Sequence, residues 1–253
     1  MPKALITGAS SGIGLELARI FAQNHYDLAL VARSEEKLHQ LASELSAVHV
    51  RVDVIAQDLA RPDAPANVAR QAGPVDVLVN NAGFGIYRPF ADSELEDDLS
   101  LMHLNMDAVV ALTKLCLPPM LERRLGRIMN VASTAAFQPG PTMALYYASK
   151  AFVLHFSEAI AYELKNSGVT VTALCPGPTD TDFQRRAAME DTRLVNMGMM
   201  TARQVAEAGY RGVMAGKTVV IPGIKNKIGA QSVRFAPRKM VTAVVHKIQE
   251  RVH

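Results

Sequence analysis

Residues 3–14 read Lys3-Ala-Leu-Ile-Thr7-Gly8-Ala-Ser10-Ser11-Gly12-Ile13-Gly14, and an apolar helical pattern follows. A short apolar run that breaks into three glycines and then a helix is a strand, a tight turn and a helix N-terminus. Glycines let backbone approach a bound group closely. The helix N-terminus offers free N–H groups and the positive end of a dipole, which together suit a pyrophosphate. The spacing is Gly-x3-Gly-x-Gly rather than the commoner Gly-x-Gly-x-x-Gly.

Outward from this loop, short apolar runs alternate with longer helical patterns. Strands are expected at Lys3–Thr7, Asp27–Ala32, Val48–Ile55, Val75–Asn80, Arg127–Ala132, Thr170–Cys175 and Thr218–Pro222. Most are nearly continuous apolar runs, as in a parallel sheet covered on both faces. Helices are expected at Ile13–Asn24, Glu35–Leu45, Leu95–Leu121, Tyr146–Asn166 and Ala202–Ala215. Thr201-x-x-Gln204 forms a capping-box pattern before the last of these, and Gly216 follows it. Such alternation predicts an α/β, doubly wound, seven-stranded parallel sheet of Rossmann-like type, with helices on both faces and ligands at the carboxyl ends of the strands. One domain is expected over residues 1–253.

Composition narrows the class. Of 253 residues, 49% are hydrophobic and 20% charged, enough apolar material for a sizeable core. No sufficiently long uninterrupted apolar run is found: Lys114 interrupts the best candidate, Ala108–Leu121. Met1-Pro2-Lys3 leads straight into the first strand, leaving no room for a secretion signal. Cys116 and Cys175 are too few for a disulfide framework and read as reduced core residues, so a cytoplasmic protein is expected. Net charge is +3, too small to argue for nucleic acid. The charge is uneven: residues 217–253 hold eight Lys and Arg against one acid, Glu250. The seven histidines show no metal-ligand spacing, and no metal is expected.

Three further features carry chemistry. Arg33 stands 19 residues after Gly14, just past the second strand, where an NAD site usually has a carboxylate for the ribose 2′-hydroxyl. A guanidinium there suits a 2′-phosphate, so NADP(H) is preferred, with NAD(H) as the alternative. Tyr146 and Lys150 lie at i, i+4 and share a helix face. An ammonium near a phenol lowers the phenol's pKa and makes it a usable proton donor or acceptor. Tyr147 points elsewhere and reads as packing. Ser133, at the end of the fifth strand, has a hydroxyl where an open α/β sheet builds its site.

In order along residues 3–223, Thr7–Gly14, Asp58-Leu59, Asn80-Asn-Ala-Gly83, Asn105, Ser133, Tyr146-x-x-x-Lys150 and Pro176-Gly-Pro-Thr-Asp-Thr181 resemble a classical short-chain dehydrogenase/reductase. Ser133 precedes Tyr146 by that family's usual 13 residues. The resemblance implies that Gly8, Gly12, Ile13 and Gly14 hold the pyrophosphate and adenosine half of the cofactor. Ser10 and Arg33 meet the 2′-phosphate, with Ser11 beside them. Asp58, next to Leu59, accepts from the adenine amino group. Asn80 and Ala82, with Gly83, line the cofactor cleft. It also implies that Ser133 polarises a carbonyl and Tyr146 protonates it while nicotinamide C4 delivers hydride. Lys150 depresses the Tyr146 pKa and binds the ribose. Asn105 holds a water that relays protons to Lys150, and Pro176, Gly177, Thr179 and Thr181 orient the carboxamide. Many NADP-preferring relatives carry Lys or Arg at the place of Ser11, so here the NADP(H) expectation rests on Arg33.

The resemblance places a substrate lid at 181–201. Met189, Met197, Met199 and Met200, with Phe84, Ile86 and Tyr87, suggest an apolar carbonyl or alcohol substrate. Arg185 and Arg186 either attract an acidic substrate or solvate the lid. Residues 224–253 extend beyond the 1–223 core as a basic segment. Within it, Pro237–Val252 reads as an amphipathic helix with Met240, Val241, Val244, Val245, Ile248 and Val252 on one side. Packing on its own domain, joining a homo-oligomer interface, and peripheral membrane contact compete for it, the last being least favoured. The leading expectation is an NADP(H)-dependent carbonyl reductase or alcohol dehydrogenase. The alternatives are a 3-oxoacyl-thioester reductase, whose basic surface would meet an acidic carrier protein, and a non-catalytic nucleotide-binding protein.

Overall fold

A computed structural model describes residues 1–193 and 198–251. Met197, Val252 and His253 lie outside the described residues. The main sheet has seven parallel strands in the order β3-β2-β1-β4-β5-β6-β9. These are β1 (Lys3–Thr7), β2 (Asp27–Ala32), β3 (Val52–Ala56), β4 (Val77–Asn80), β5 (Gly126–Val131), β6 (Val169–Leu174) and β9 (Val219–Val220). Two short strands, β7 (Thr179–Asp180) and β8 (Met200–Thr201), pair separately and tie the two ends of segment 181–201 together.

Alternation along the strands explains the double burial. Ala4 and Ile6 face one apolar cluster with Leu17, Phe21, Leu28 and Leu30. Leu5 faces the other, with Ala29, Leu78, Leu112, Met120 and Ile128. The first cluster is closed by α1 (Gly12–Gln23), α2 (Glu35–Leu45) and, later in the chain, the helix Ala202–Met214. The second is closed by α3 (Ala64–Ala72) and by the helical run from α4 (Leu95–Met102) to α5 (Ala108–Arg123). Strand order reverses between β1 and β4, so a crevice opens where Thr7 meets Asn81 and Ala82.

Several boundaries differ from the sequence reading. The third strand begins at Val52 rather than Val48, because residues 46–48 form a 3-10 turn and His49 takes a left-handed conformation. Helix α3 was not expected: its nine residues carry one large apolar side chain inward, Val68, and its first turn holds Pro65. The long helix is continuous over Leu95–Arg123 through a π turn at His103–Asp107, so it exceeds the apolar run weighed from sequence. By length and composition it would pass for a membrane crossing, yet Leu112, Cys116 and Met120 pack into the second core cluster. Cys116 and Cys175 are both buried free thiols.

After α6 (Ala144–Glu163), a single turn α7 (Phe183–Arg186) lies near the start of segment 181–201. Helix α8 (Ala202–Met214) carries the expected capping box: Thr201 Oγ1 accepts from the Gln204 N–H at 3.2 Å, and Gln204 Oε1 accepts from the Thr201 N–H at 3.1 Å. The basic extension forms α9 (Ile224–Ser232) and α10 (Arg238–Gln249). Val241 and Val245 of α10 pack against Met143, Tyr147, Ala187 and Met189. Of the three placements weighed for this helix, these contacts are those of packing on its own domain.

Candidate active site

A cleft of about 590 Å³ runs along the carboxyl ends of the strands, within the usual range for ligand sites. Its first part is the glycine turn after β1. Gly8 and Gly12 have φ of +66° and +56°, a region that favours glycine, and both line the cleft with Ser10, Ser11 and Ile13. Gly14 is buried and lies behind this surface. A Cβ there would stand 2.3 Å from the Gly8 carbonyl oxygen, so its smallness lets α1 approach the loop. Gly14→Ala is expected to lower stability by about 1–3 kcal/mol. Thermal denaturation checks this, and an unchanged Tm would contradict it.

The second part lies past β2 and β3. Arg33 is exposed and lines the cleft with Ser10, Ser11 and Ser34. Glu35, the nearest acid in sequence, pairs instead with His39 at 3.6 Å. Asp58 and Leu59 line the same end; one Asp58 carboxylate oxygen accepts from the Ala60 N–H at 3.1 Å, capping the local turn.

The third part, after β4, corrects one expectation. Asn80 does not line the cleft. It is buried between strands and α5, donating to Asn130 Oδ1 at 2.8 Å and Thr113 Oγ1 at 3.1 Å. Side chains alternate along a strand, so the next residue faces the opposite way. Asn81 lines the cleft and donates to the Thr7 carbonyl at 2.9 Å, holding the β4 loop against the glycine turn. Ala82 and Gly83 line the cleft as expected. Asn105, within the π turn, is buried and donates to the Phe84 carbonyl at 2.9 Å and Ser149 Oγ at 3.1 Å. It accepts from the Phe84 N–H at 3.1 Å. Its observed bonds pin the loop and α6; it reaches the Lys150 neighbourhood through the space beside Gly83.

The fourth part is Ser133, Tyr146 and Lys150, which line one end of the cleft together. Ser133 lies two residues past β5, where it caps a 3-10 turn by accepting from the Ala135 N–H at 3.1 Å. Tyr146 and Lys150 share a face of α6. Lys150 is buried, donates to the Val131 carbonyl at 2.9 Å, and its ammonium stands 5.8 Å from the Tyr146 ring centre. Desolvation pulls the Lys150 pKa down to about 8. The Tyr146 phenol is pushed up to about 12 by burial, with Ser133 acting the other way. Desolvation, not the expected lowering by Lys150, is the larger influence on the phenol, and Ser133 is what opposes it. Pro176, Gly177, Thr179 and Thr181 close the cleft from the β6 side.

Beyond Tyr146 the walls are Phe84, Met143, Tyr147, Phe183 and Met189, with Gln138 and Arg186 as polar interruptions. Of the apolar set read from sequence, Phe84 and Met189 are in this wall, while Ile86 and Tyr87 are not among its lining residues. Sequence reading did not single out Met143 or Phe183: Met143 immediately precedes α6 and Phe183 opens the single turn α7, too short to carry a periodic signal. Arg185 and Arg186 lie 2.9 and 3.8 Å from Asp182.

This site, on this sheet, is that of a nucleotide-dependent oxidoreductase. The family model for short chain dehydrogenases matches residues 2–192, and the chain belongs to that family. It is 34% identical over 222 residues to the ketoacyl reductase HetN of Nostoc sp., covering 86% of this chain and 77% of that protein. It is 43% identical over 188 residues to a putative ketoacyl reductase of Streptomyces coelicolor, covering 70% of each. Among solved structures, a short-chain dehydrogenase from Sphingobium yanoikuyae in complex with NADPH superposes with a TM-score of 0.85, 32% identity and 95% of each chain covered. The chain is accordingly an NAD(P)-dependent enzyme interconverting carbonyl and alcohol groups.

Proposed function

We propose that this enzyme reduces apolar ketones or aldehydes with NADPH, Tyr146 supplying the proton. The observation that carries the reading is the meeting of Ser133, Tyr146 and Lys150 at the join between a glycine-turn cleft and an apolar wall. The bound nicotinamide supplies a hydride to the carbonyl carbon. Gly8, Gly12 and Ile13 suit a pyrophosphate, because they line the cleft where α1 begins and the positive φ of the two glycines turns bare backbone toward it. Arg33 with Ser10 and Ser11 suits a 2′-phosphate, and the solved NADPH complex of the Sphingobium relative supports the same preference. The Ser133 hydroxyl donates to the substrate oxygen, and the Tyr146 hydroxyl transfers its proton there as negative charge develops. Lys150 holds positive charge near the phenolate that remains. Asn105 positions α6 and the loop at Phe84. Segment 181–201 serves as the lid, and 224–253 as an extension to the 1–223 core.

The pKa directions set opposite pH slopes. Tyr146 stays protonated throughout the working range, while Lys150 loses its charge as pH rises through about 8. Reduction should therefore hold level below about 8 and fall above it, by at most about tenfold per pH unit. Alcohol oxidation, which needs phenolate, should rise with pH over the same range. Initial rates in both directions from pH 6 to 10 check this; parallel profiles would contradict it.

The names of the Nostoc and Streptomyces relatives favour one second reading, reduction of a 3-oxoacyl thioester. Rates with a 3-oxoacyl carrier-protein thioester against a free aryl ketone, both with NADPH, separate the two. Preference for the ketone supports the first reading; preference for the thioester replaces it. We also propose a homo-oligomer. Val110, Leu115 and Leu121 on α5 and Phe152 on α6, stacked on Phe156 at 5.9 Å, are exposed apolar groups among the described residues. Sedimentation showing only monomer would remove this.

A further inference from the structure

The C-terminal turn is bonded to four separate pieces of the substrate end. Gln249 is buried, 102 residues from Tyr147 in sequence, and its side-chain amide donates to the Tyr147 hydroxyl. Its side-chain oxygen accepts from Thr142 Oγ1 at 3.2 Å, in the loop before α6. Its backbone carbonyl accepts from the Tyr87 hydroxyl at 2.7 Å, in the loop after β4. The next two residues hold the lid. The Glu250 carbonyl accepts from the Arg193 N–H at 3.1 Å, Arg251 pairs with Thr192 as an antiparallel bridge, and the Arg251 guanidinium donates to the Ala188 carbonyl at 3.3 Å. That guanidinium also lies over the Tyr87 ring at 5.5 Å.

Tyr147 is the link to the pocket. Its ring lines the cleft and meets Tyr146 edge-on, with centroids 6.0 Å apart. Gln249 does not line the cleft and so acts only through its partners. A buried amide with both ends engaged fixes a ring far better than apolar contact alone, since breaking either bond leaves a polar group unsatisfied. Helix α10 brings Gln249 there by packing Val241 and Val245 on Met143, Ala187 and Met189.

We propose that Gln249 is a positioning residue for Tyr147, and that residues 249–251 latch the lid to set how bulky a ketone the pocket accepts. This rests on the proposed ketone reduction. With the latch closed, Tyr147 and the lid hold a fixed wall against a large apolar substituent. Without it, both shift, and the large substrate loses its complementary surface while a small one does not.

Three readouts test the latch, with a diaryl ketone, 2-butanone and NADPH as probes. Gln249→Ala should lower kcat/KM for the diaryl ketone about tenfold, mainly through KM, and leave 2-butanone reduction and NADPH binding within about twofold. Tyr147→Phe combined with Gln249→Ala should lose no more than the worse single variant, because both remove one interaction. Equal losses on both ketones, or multiplying losses in the double variant, overturn the proposal. Hydrogen exchange reads the latch without catalysis. The Arg193 amide should be protected in the wild type and exchange at least about tenfold faster in Gln249→Ala and in Tyr87→Phe. Absence of protection in the wild type also overturns it. Should the wild type bind NADPH but reduce neither ketone, the functional reading fails while exchange still decides the latch.

Discussion

Tyr146→Phe should lower kcat/KM for ketone reduction by about a thousandfold, the middle of the range for losing a general acid. NADPH binding should stay within about twofold, because the lost hydroxyl serves the carbonyl and the cofactor is held along the rest of the cleft. The ring remains, so its packing against Phe183 at 5.2 Å and Tyr147 survives. The expected pattern is a fall in kcat with little change in KM, the mark of an interaction made in the transition state. Single-turnover NADPH oxidation measures it. A variant turning over within tenfold of wild type would transfer the proton donor's role elsewhere.

The second large effect concerns cofactor choice. Arg33→Asp should weaken NADPH binding by about a hundredfold and leave NADH binding unchanged or improved. A guanidinium–phosphate contact is charge-assisted and replaced here by like-charge repulsion. Each tenfold step is about 1.4 kcal/mol, so the change corresponds to about 3 kcal/mol, reasonable for an exposed contact in which both signs change. Ser10 and Ser11 line the cleft beside Arg33 and keep their hydroxyl donors in the variant, but bring no positive charge. Fluorescence titration with both nucleotides in both proteins decides the matter. Equal affinity of the wild type for NADPH and NADH would remove the Arg33 argument altogether.

Most of the site was legible because its residues sit at strand ends and helix starts, where local pattern places them. The glycine turn, Arg33, Ser133 and the Tyr146–Lys150 face all follow from positions just beyond predicted strands or one helical turn apart. The Thr201–Gln204 cap was legible for the same reason: both halves of the interaction lie within four residues. What was not legible depends on facing and on distance. Asn80 and Asn81 are chemically identical neighbours, and only the pleat decides which meets the cleft and which bonds Asn130 and Thr113. Spacing put Lys150 beside Tyr146 but said nothing of their surroundings, where Lys150 is buried and Tyr146 partly so, and desolvation pushes the phenol up rather than down. Tyr147, read as packing, is half wall and half anchor because its partner Gln249 is remote in the chain. Helices α3 and α9 carry few inward apolar side chains, Val68 in one and Ala230 in the other, too weak a pattern to stand out.

Hydride transfer from NADPH to a carbonyl, with Tyr146 as acid, is tested most directly by reducing an aryl ketone with NADPH deuterated at C4, each epimer used separately, and mass analysis of the alcohol. One epimer should deliver a single deuterium to the carbinol carbon and the other none, with product almost absent in Tyr146→Phe. Deuterium from neither epimer, or equal product from wild type and variant, would contradict it.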